Sequence, residues 1–274
     1  MPELPEVETV CRRLRPFVSG KTIETVDVLD AKIIRGHEPE QFVAHLLGET
    51  IIDVERRGKF ILFKLTHGYL VSHLRMEGKF FPHDERVNPV KHSHVIFSFT
   101  DGSTLHYNDV RKFGTMELKT NEELFVTPPL SLLALEPFDP NVTAEALHKR
   151  LSRMNVRAIK TALLDQSIFV GLGNIYVDET LFRAGIHPTR PAASLSTVEV
   201  EAVRQEAIAV LTEAIERGGS TIRSYTNPDG ATGTFQETLY VYGQTGNPCR
   251  KCGRPIEKMK LGGRGTHYCP HCQQ

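Results

Sequence analysis

Four cysteines near the C-terminus stand as two pairs, Cys249-x-x-Cys252 and Cys269-x-x-Cys272, with sixteen residues between the pairs. Two such pairs place four thiolates at the corners of a tetrahedron, the geometry zinc takes in closed structural sites. With every coordination position filled by protein, one structural Zn²⁺ holds a fold and activates no water. Its binding energy folds a segment too short to bury its own core. His267 and His271 lie close by, but four sulfurs already close the site, so neither is needed as a ligand. Cys11, the fifth cysteine, stands alone and reads as a small buried side chain. A metal site in a cytosolic protein fits this distribution better than a disulfide framework.

The opposite end offers a different chemistry. Once Met1 is removed, Pro2 presents a free secondary amine directly beside the Glu3 carboxylate. An α-amine titrates near pH ~8, so a useful fraction is neutral and nucleophilic at neutral pH, unlike an ordinary lysine. Secondary amines condense with aldehydic carbons to iminium ions. Composition alone reads the same residues as a proline-rich lead into a helix.

Two glycine-rich segments carry weaker signals. In Lys260-Leu261-Gly262-Gly263-Arg264-Gly265-Thr266 the glycines let a hairpin tip approach a surface while extending one guanidinium. The tip is a phosphate or base contact, or else a solvated turn. Val170-Gly171-Leu172-Gly173-Asn174-Ile175 opens a helix whose first N–H groups suit a phosphate, or is only a tight turn. It is no dinucleotide fingerprint, because the third glycine and a βαβ unit are missing.

The elements that must position these residues fall into two regimes. Pro5 suits a first helical turn, and Val7, Val10, Leu14 and Phe17 recur at helical spacing until Ser19-Gly20. Short β-branched and aromatic segments follow at 22–28, 51–56, 60–65, 69–75, 94–99, 104–107 and 115–119, with Asp101-Gly102 marking a hairpin. Seven strands behind a helix predict a β-sandwich or barrel-like domain ending near residue 130. After a proline-rich linker from Thr127 to Pro140 the period turns helical at 143–151, 157–165, 174–184 and 197–217. Residues 224–236 read as a mobile loop, and a short cysteine-bounded hairpin ends the chain.

The 274 residues, 24% of them charged, exclude a disordered or fibrous chain. Formal net charge is zero, but Gly246–Gln274 holds six basic residues against one acid. That asymmetry points to a local anionic partner and gives nucleic acid the better claim on the Arg264 turn. The first ten residues carry three glutamates and no apolar core, and no apolar run approaches the ~20 residues of a membrane span. A cytoplasmic protein without membrane contact is expected.

Together these pieces resemble the formamidopyrimidine-DNA glycosylase family, a bacterial group with a helix-two-turns-helix DNA-binding domain. The matching residues are Pro2-Glu3-Leu4-Pro5-Glu6-Val7-Glu8-Thr9, Arg56-Arg57-Gly58-Lys59, His73-Leu74-Arg75-Met76-Glu77-Gly78 and Asp109-Val110-Arg111-Lys112-Phe113-Gly114. Gly171-Leu172-Gly173-Asn174-Ile175-Tyr176 and Gly263-Arg264-Gly265-Thr266 complete the set, in family order from residue 2 to 274.

The resemblance implies an α+β chain in three parts: an N-terminal β-sandwich catalytic domain (1–131), a helix-two-turns-helix domain (132–237) and a C-terminal zinc finger (238–274). It implies a bifunctional glycosylase and AP lyase of base excision repair, acting on oxidised purines in damaged double-stranded DNA. A monomer without a nucleotide cofactor, nucleoid-associated through DNA, goes with it. Pro2 would attack C1′, Glu3 would act as general acid/base and Glu6 as a supporting carboxylate. Lys59 and Arg264 match residues assigned to β- and δ-elimination. Met76, Arg111 and Phe113 would fill the space left by the flipped nucleotide. His73, His92, Arg153, Asn174 and Tyr242 would grip the backbone. Glu77, Ser220 and Thr221 would touch the lesion base, under a lid spanning 221–236. One departure stands out: Ser152–Arg157 is less basic than the lysine-rich stretch of relatives, which weakens the claim of Arg153 on a phosphate.

Two rival readings remain. An endonuclease VIII-like enzyme for oxidised pyrimidines shares Pro2 and Glu3, but usually lacks the Leu4–Thr9 continuation and the Arg111/Phe113 pairing. A zinc-stabilised damage-recognition protein without catalysis has no need of Pro2, Glu3 and Lys59 together.

Overall fold

The computed structural model describes residues 1–220 and 233–274, which separate into two compact units. Met1–Ser131 forms the first, with Ser220 and Gly233 grouped in it; the second holds Leu132–Gly219 and Thr234–Gln274.

The first unit begins with α1 (Leu4–Val18), whose Val7, Val10, Cys11, Leu14 and Val18 form one buried face. Nine strands follow: β1 (Ile23–Val28), β2 (Ile34–Arg35), β3 (Ile51–Arg57), β4 (Phe60–Leu65), β5 (Gly68–His73), β6 (Lys79–His83), β7 (Ser93–Phe99), β8 (Thr104–Asn108) and β9 (Thr115–Lys119). They pair as a four-stranded sheet, β1-β7-β8-β6, and a five-stranded sheet, β2-β9-β5-β4-β3. Val26, Phe80, Phe97 and Leu105 of one sheet share a single core with Val54, Phe63, Leu70 and Met116 of the other. The expected sandwich is the result.

Each of the seven expected strands is present, and the differences have physical causes. β5 stops at His73 because Arg75 takes a left-handed φ of +51°. β6 went unread: Pro82 lacks an N–H, and the strand lies at a sheet edge where that loss is tolerated. β2 is only two residues long, and α2 (Pro39–Leu46) buries just Phe42 and Leu46, too little for a periodic signal.

In the second unit α3 (Ala144–Leu151), α4 (Ile159–Leu163), α5 (Asn174–Ala184) and α6 (Thr197–Glu216) pack through Leu147, Leu163, Val177, Leu181, Val203 and Val210. α4 is shorter than the 157–165 expected, because Ala158 is extended and bridges Pro191 while the Ile159 N–H goes to Arg190 O. The chain closes with the antiparallel hairpin β10 (Glu257–Leu261) and β11 (Arg264–Tyr268). Among the described residues no helix is long and apolar enough to cross a membrane.

Candidate active site and metal centre

The start of α1 is built as a buried anchor. Glu3 is the N-cap and shares a reciprocal capping box with Glu6. The Glu3 N–H donates to Glu6 Oε2 at 2.8 Å, and the Ser220 N–H donates to Glu6 Oε1 at 2.7 Å. Pro2, Glu3, Glu6 and Ser220 are all buried. Met1 is present, so the Pro2 nitrogen is an amide until that residue is cleaved. Thr221 and the lid expected over 221–236, its last four residues aside, lie outside the described residues.

α1 is stitched to β3 along its length. Arg15 Nη2 donates to Val54 O at 2.6 Å, and Cys11 Sγ lies 3.4 Å from Glu55 O, with burial pushing the thiol pKa up. Glu8 takes Arg12 Nε at 2.8 Å and Arg56 Nε at 2.9 Å. Burial pushes the Glu8 carboxyl up, but the two guanidiniums outweigh it and hold the pKa below its ordinary value. Arg56 Nη1 in turn donates to Gly58 O at 3.0 Å, bracing the two-residue turn that carries Lys59. Gly58 has φ +57° at the first turn position, as a hairpin of this type requires. Lys59 itself is buried. Glu8 and Arg56, quoted in the motifs but given no role, thus connect the helix that follows Pro2 to the turn that bears Lys59.

His73, at the end of β5, is 7% exposed and meets the Phe60 ring edge-on. Burial, aided by the charges of Arg75 and Lys59, lowers its pKa to about 3, so the ring is neutral. Its Nδ1 accepts the Arg75 N–H at 2.9 Å, which puts the ring proton on Nε2 and leaves that atom as the donor. Beyond it Met76 is 38% exposed, and Glu77 and His92 line one cavity of about 180 Å³ with Lys79, Lys91 and Asn108.

The loop between β8 and β9 is organised by Asp109, which is 1% exposed. Its carboxylate accepts the N–H groups of Arg111 (3.0 Å), Phe113 (2.9 Å) and Gly114 (2.8 Å). Arg111 Cζ sits 4.7 Å from the Phe113 ring centroid, and Phe113 is half exposed. Among the described residues three non-glycine residues have left-handed φ: Arg75 (+51°), His92 (+72°) and Lys112 (+55°). Each lies in or beside a loop carrying an expected DNA contact, where stored backbone strain is commonly found.

In the second unit the four Sγ atoms of Cys249, Cys252, Cys269 and Cys272 lie within 4.8 Å of one another. The pairs Cys252–Cys269 and Cys249–Cys272 are 3.5 and 3.9 Å apart. Sulfurs at ~2.3 Å from a tetrahedral zinc stand about 3.8 Å apart, so the residues fit one ion. The His267 Nδ1 lies instead 3.3 Å from Asp178 Oδ2, and its ring packs edge-on to Tyr242.

The zinc hairpin is seated on the helices. Gly262 and Gly263, with φ +56° and +77°, form its turn, and Arg264 follows as an exposed side chain. The neighbouring Gly265 O accepts from Lys160 Nζ at 3.2 Å and from Asn174 Nδ2 at 2.9 Å. Lys160 is fully buried against Asp178 Oδ1 at 2.7 Å, and Asp178 Oδ2 accepts the His267 N–H at 2.9 Å. Glu179 accepts three consecutive N–H groups, of Tyr240, Val241 and Tyr242. Burial raises its pKa against the pull of those donors. Gly171 N–H goes to Gln166 Oε1 at 2.9 Å, so that glycine serves a turn. Arg153 lies exposed in the turn after α3, apart from these groups. Lys160, Asp178 and Glu179 were not singled out by sequence reasoning, and Asp109 was quoted in its motif without a role. Only the aspartate ahead of a loop hinted at Asp109, since Asp side chains bind N–H groups a few residues on.

Known proteins match over the whole chain. Residues 1–116 fit the model of the formamidopyrimidine-DNA glycosylase N-terminal domain, 133–226 that family's H2TH domain, and 246–274 a zinc finger found in FPG and IleRS. A formamidopyrimidine-DNA glycosylase of an Exiguobacterium species is 81% identical over the full length of both chains. One of Geobacillus kaustophilus is 51% identical, again over both full lengths. Lactococcus lactis Fpg in complex with DNA containing an abasic site superposes with TM-score 0.93 at 39% identity, covering all of each chain. A mutant of the Lactococcus lactis protein in complex with Fapy-dG-containing DNA gives 0.92, at the same identity and coverage. A buried proline-glutamate helix start, an Asp109-braced loop and a four-cysteine zinc hairpin therefore occur in a chain that belongs to the formamidopyrimidine-DNA glycosylase family.

Proposed function

We propose that this chain is a bifunctional DNA glycosylase and AP lyase that removes oxidised purines, 8-oxoguanine and formamidopyrimidines, from duplex DNA. The observation that carries the reading is the buried helix start, where Glu6 takes both the Glu3 and the Ser220 N–H groups. After Met1 is cleaved, the Pro2 amine attacks C1′; the C1′–N-glycosidic bond breaks and the base leaves with a proton. Glu3 supplies a proton to O4′ as the sugar ring opens, giving a C1′ iminium on Pro2. Loss of the C2′ proton then expels the 3′-phosphate, and a second elimination expels the 5′-phosphate. Lys59 and Arg264 are the cations assigned to those two steps, and both suit the phosphates that leave. Zinc, held by the four cysteines, keeps the hairpin of Arg264 folded.

Met76, Arg111 and Phe113 fill the helix after the nucleotide is extruded, while His73, His92, Asn174, Tyr242 and Arg153 hold phosphates. Glu77, Ser220 and Thr221 face the lesion base. We assign these tasks to parts 1–131, 132–237 and 238–274 of a monomer that needs no nucleotide cofactor and works in the bacterial cytoplasm, on the nucleoid. The test is borohydride trapping on a duplex carrying 8-oxoguanine opposite cytosine, with mass spectrometry of the linked peptide. An adduct on Pro2 is expected. Tight binding without an adduct overturns the catalytic reading, and preference for thymine glycol overturns the purine one.

A further inference from the structure

One buried hydroxyl is pressed from two sides by the loops assigned to the DNA. Tyr107 lies on β8, fully buried, with its ring 5.1 Å from that of Phe80. Gly78 closes the loop that carries Met76 and Glu77, and Gly114 closes the loop that carries Arg111 and Phe113. Neither glycine has a left-handed φ, so the backbone at both would accept alanine. Space would not. A Cβ on Gly114 would overlap the Tyr107 hydroxyl and come within 2.9 Å of its Cζ and 3.2 Å of Asp109 Oδ2. A Cβ on Gly78 would overlap the same hydroxyl and lie 2.7 Å from Leu74 O. The hydroxyl also reaches Asp109 Oδ2, at 3.5 Å, the oxygen that takes the Phe113 and Gly114 N–H groups.

We propose that Tyr107 is a positioning residue for DNA probing: its hydroxyl is the common stop for both loops and fixes the spacing between Met76 and the Arg111–Phe113 pair. The plug and the wedge then enter the duplex as one unit, without a separate search by each loop. The inference rests on the reading of those three residues as DNA-inserting. Misplacement of such groups by an ångström costs far more in rate than in affinity. Burial and the Asp109 carboxylate push the phenol pKa up, so the hydroxyl keeps its proton and presents it to Asp109.

The experiment uses the full-length zinc protein and a duplex with 8-oxoguanine beside 2-aminopurine, whose fluorescence reports unstacking. Tyr107→Phe keeps the ring on Phe80 and removes the oxygen. Base unstacking and single-turnover excision are expected to slow together by about tenfold. Cleavage at a preformed abasic site, where no base must be extruded, is expected to keep its wild-type rate. Gly114→Ala is expected to slow unstacking further, and adding Tyr107→Phe to it to restore part of the loss. Wild-type unstacking in Tyr107→Phe, equal losses on both substrates, or no recovery in the double variant overturns the proposal. If Tyr107→Phe fails to fold, Gly114→Ala, whose Cβ meets side-chain atoms of Tyr107 and Asp109 rather than backbone, must show the same split between substrates; equal effects overturn it. Failure of the wild-type protein to excise 8-oxoguanine would instead overturn the proposed function.

Discussion

Glu6 and Ser220 are joined by a buried 2.7 Å hydrogen bond that spans 214 positions of sequence, from the Ser220 N–H to Glu6 Oε1. Because the other Glu6 oxygen holds the Glu3 N–H, one carboxylate fixes both the helix start and the residue ahead of the expected lid. Glu6→Gln offers one acceptor oxygen to two backbone donors and turns an NH₂ toward one of them. An unsatisfied buried donor costs ~1–3 kcal/mol. Thermal melting is expected to shift down, and borohydride trapping at Pro2 to slow at least about tenfold, with DNA affinity kept. Trapping at the wild-type rate would sink the positioning role of Glu6.

Asp109→Asn replaces a carboxylate that serves three backbone donors. Its amide nitrogen cannot accept, so at least one of those N–H groups is left unpaired, again at ~1–3 kcal/mol. Excision of 8-oxoguanine is expected to fall more than stability. Phe113→Ala is the companion: half exposed, it is expected to leave stability within about 0.5 kcal/mol while slowing base extrusion. Unchanged excision in both variants would count against the wedge assignment.

The His73 ring is neutral above a pH of about 3, whereas an exposed histidine takes up a proton near 6.5. Between those values the unfolded chain binds a proton the folded one refuses, so this residue lowers stability as pH falls and contributes no slope above 6.5. Imidazole ¹⁵N NMR at pH ~5 is expected to show a neutral ring protonated at Nε2. A midpoint near 6.5 in the folded protein would refute this. A neutral donor releases no counterion, so His73→Ala is expected to weaken DNA binding without changing its salt slope, unlike Arg264→Ala.

Zinc removal by a chelator is expected to unfold the β10–β11 hairpin, leave the β-sandwich intact and weaken DNA binding. Metal analysis should return one zinc per chain. Full activity in a demonstrably metal-free protein would contradict a structural role for the ion.

Much of this was readable in the chain because its signals are local. Short runs of aromatic and branched residues marked β4 and β8, the helical repeat of Val200, Val203, Ala207 and Val210 marked α6, and two Cys-x-x-Cys pairs marked the metal. What escaped is nonlocal. His267 finds Asp178 across 89 positions and Lys160 finds Thr266 across 106, and neither partner has a sequence signature that names the other. Tyr107 reads as a core aromatic on β8, and only three-dimensional packing shows two glycines closing on its oxygen.

The seating of the zinc hairpin on α4 and α5 makes metal affinity and helix stability parts of a single equilibrium. Gly265 O is held by Lys160 and Asn174, and Asp178 holds His267, so the metal-bound hairpin is formed against those side chains. By linkage, whatever loosens α5 must lower the apparent affinity for zinc, and bound zinc must in turn protect α5 from opening. An inherited substitution in a helix with no cysteine can thus present itself, in a cell short of zinc, as a failure to acquire the metal.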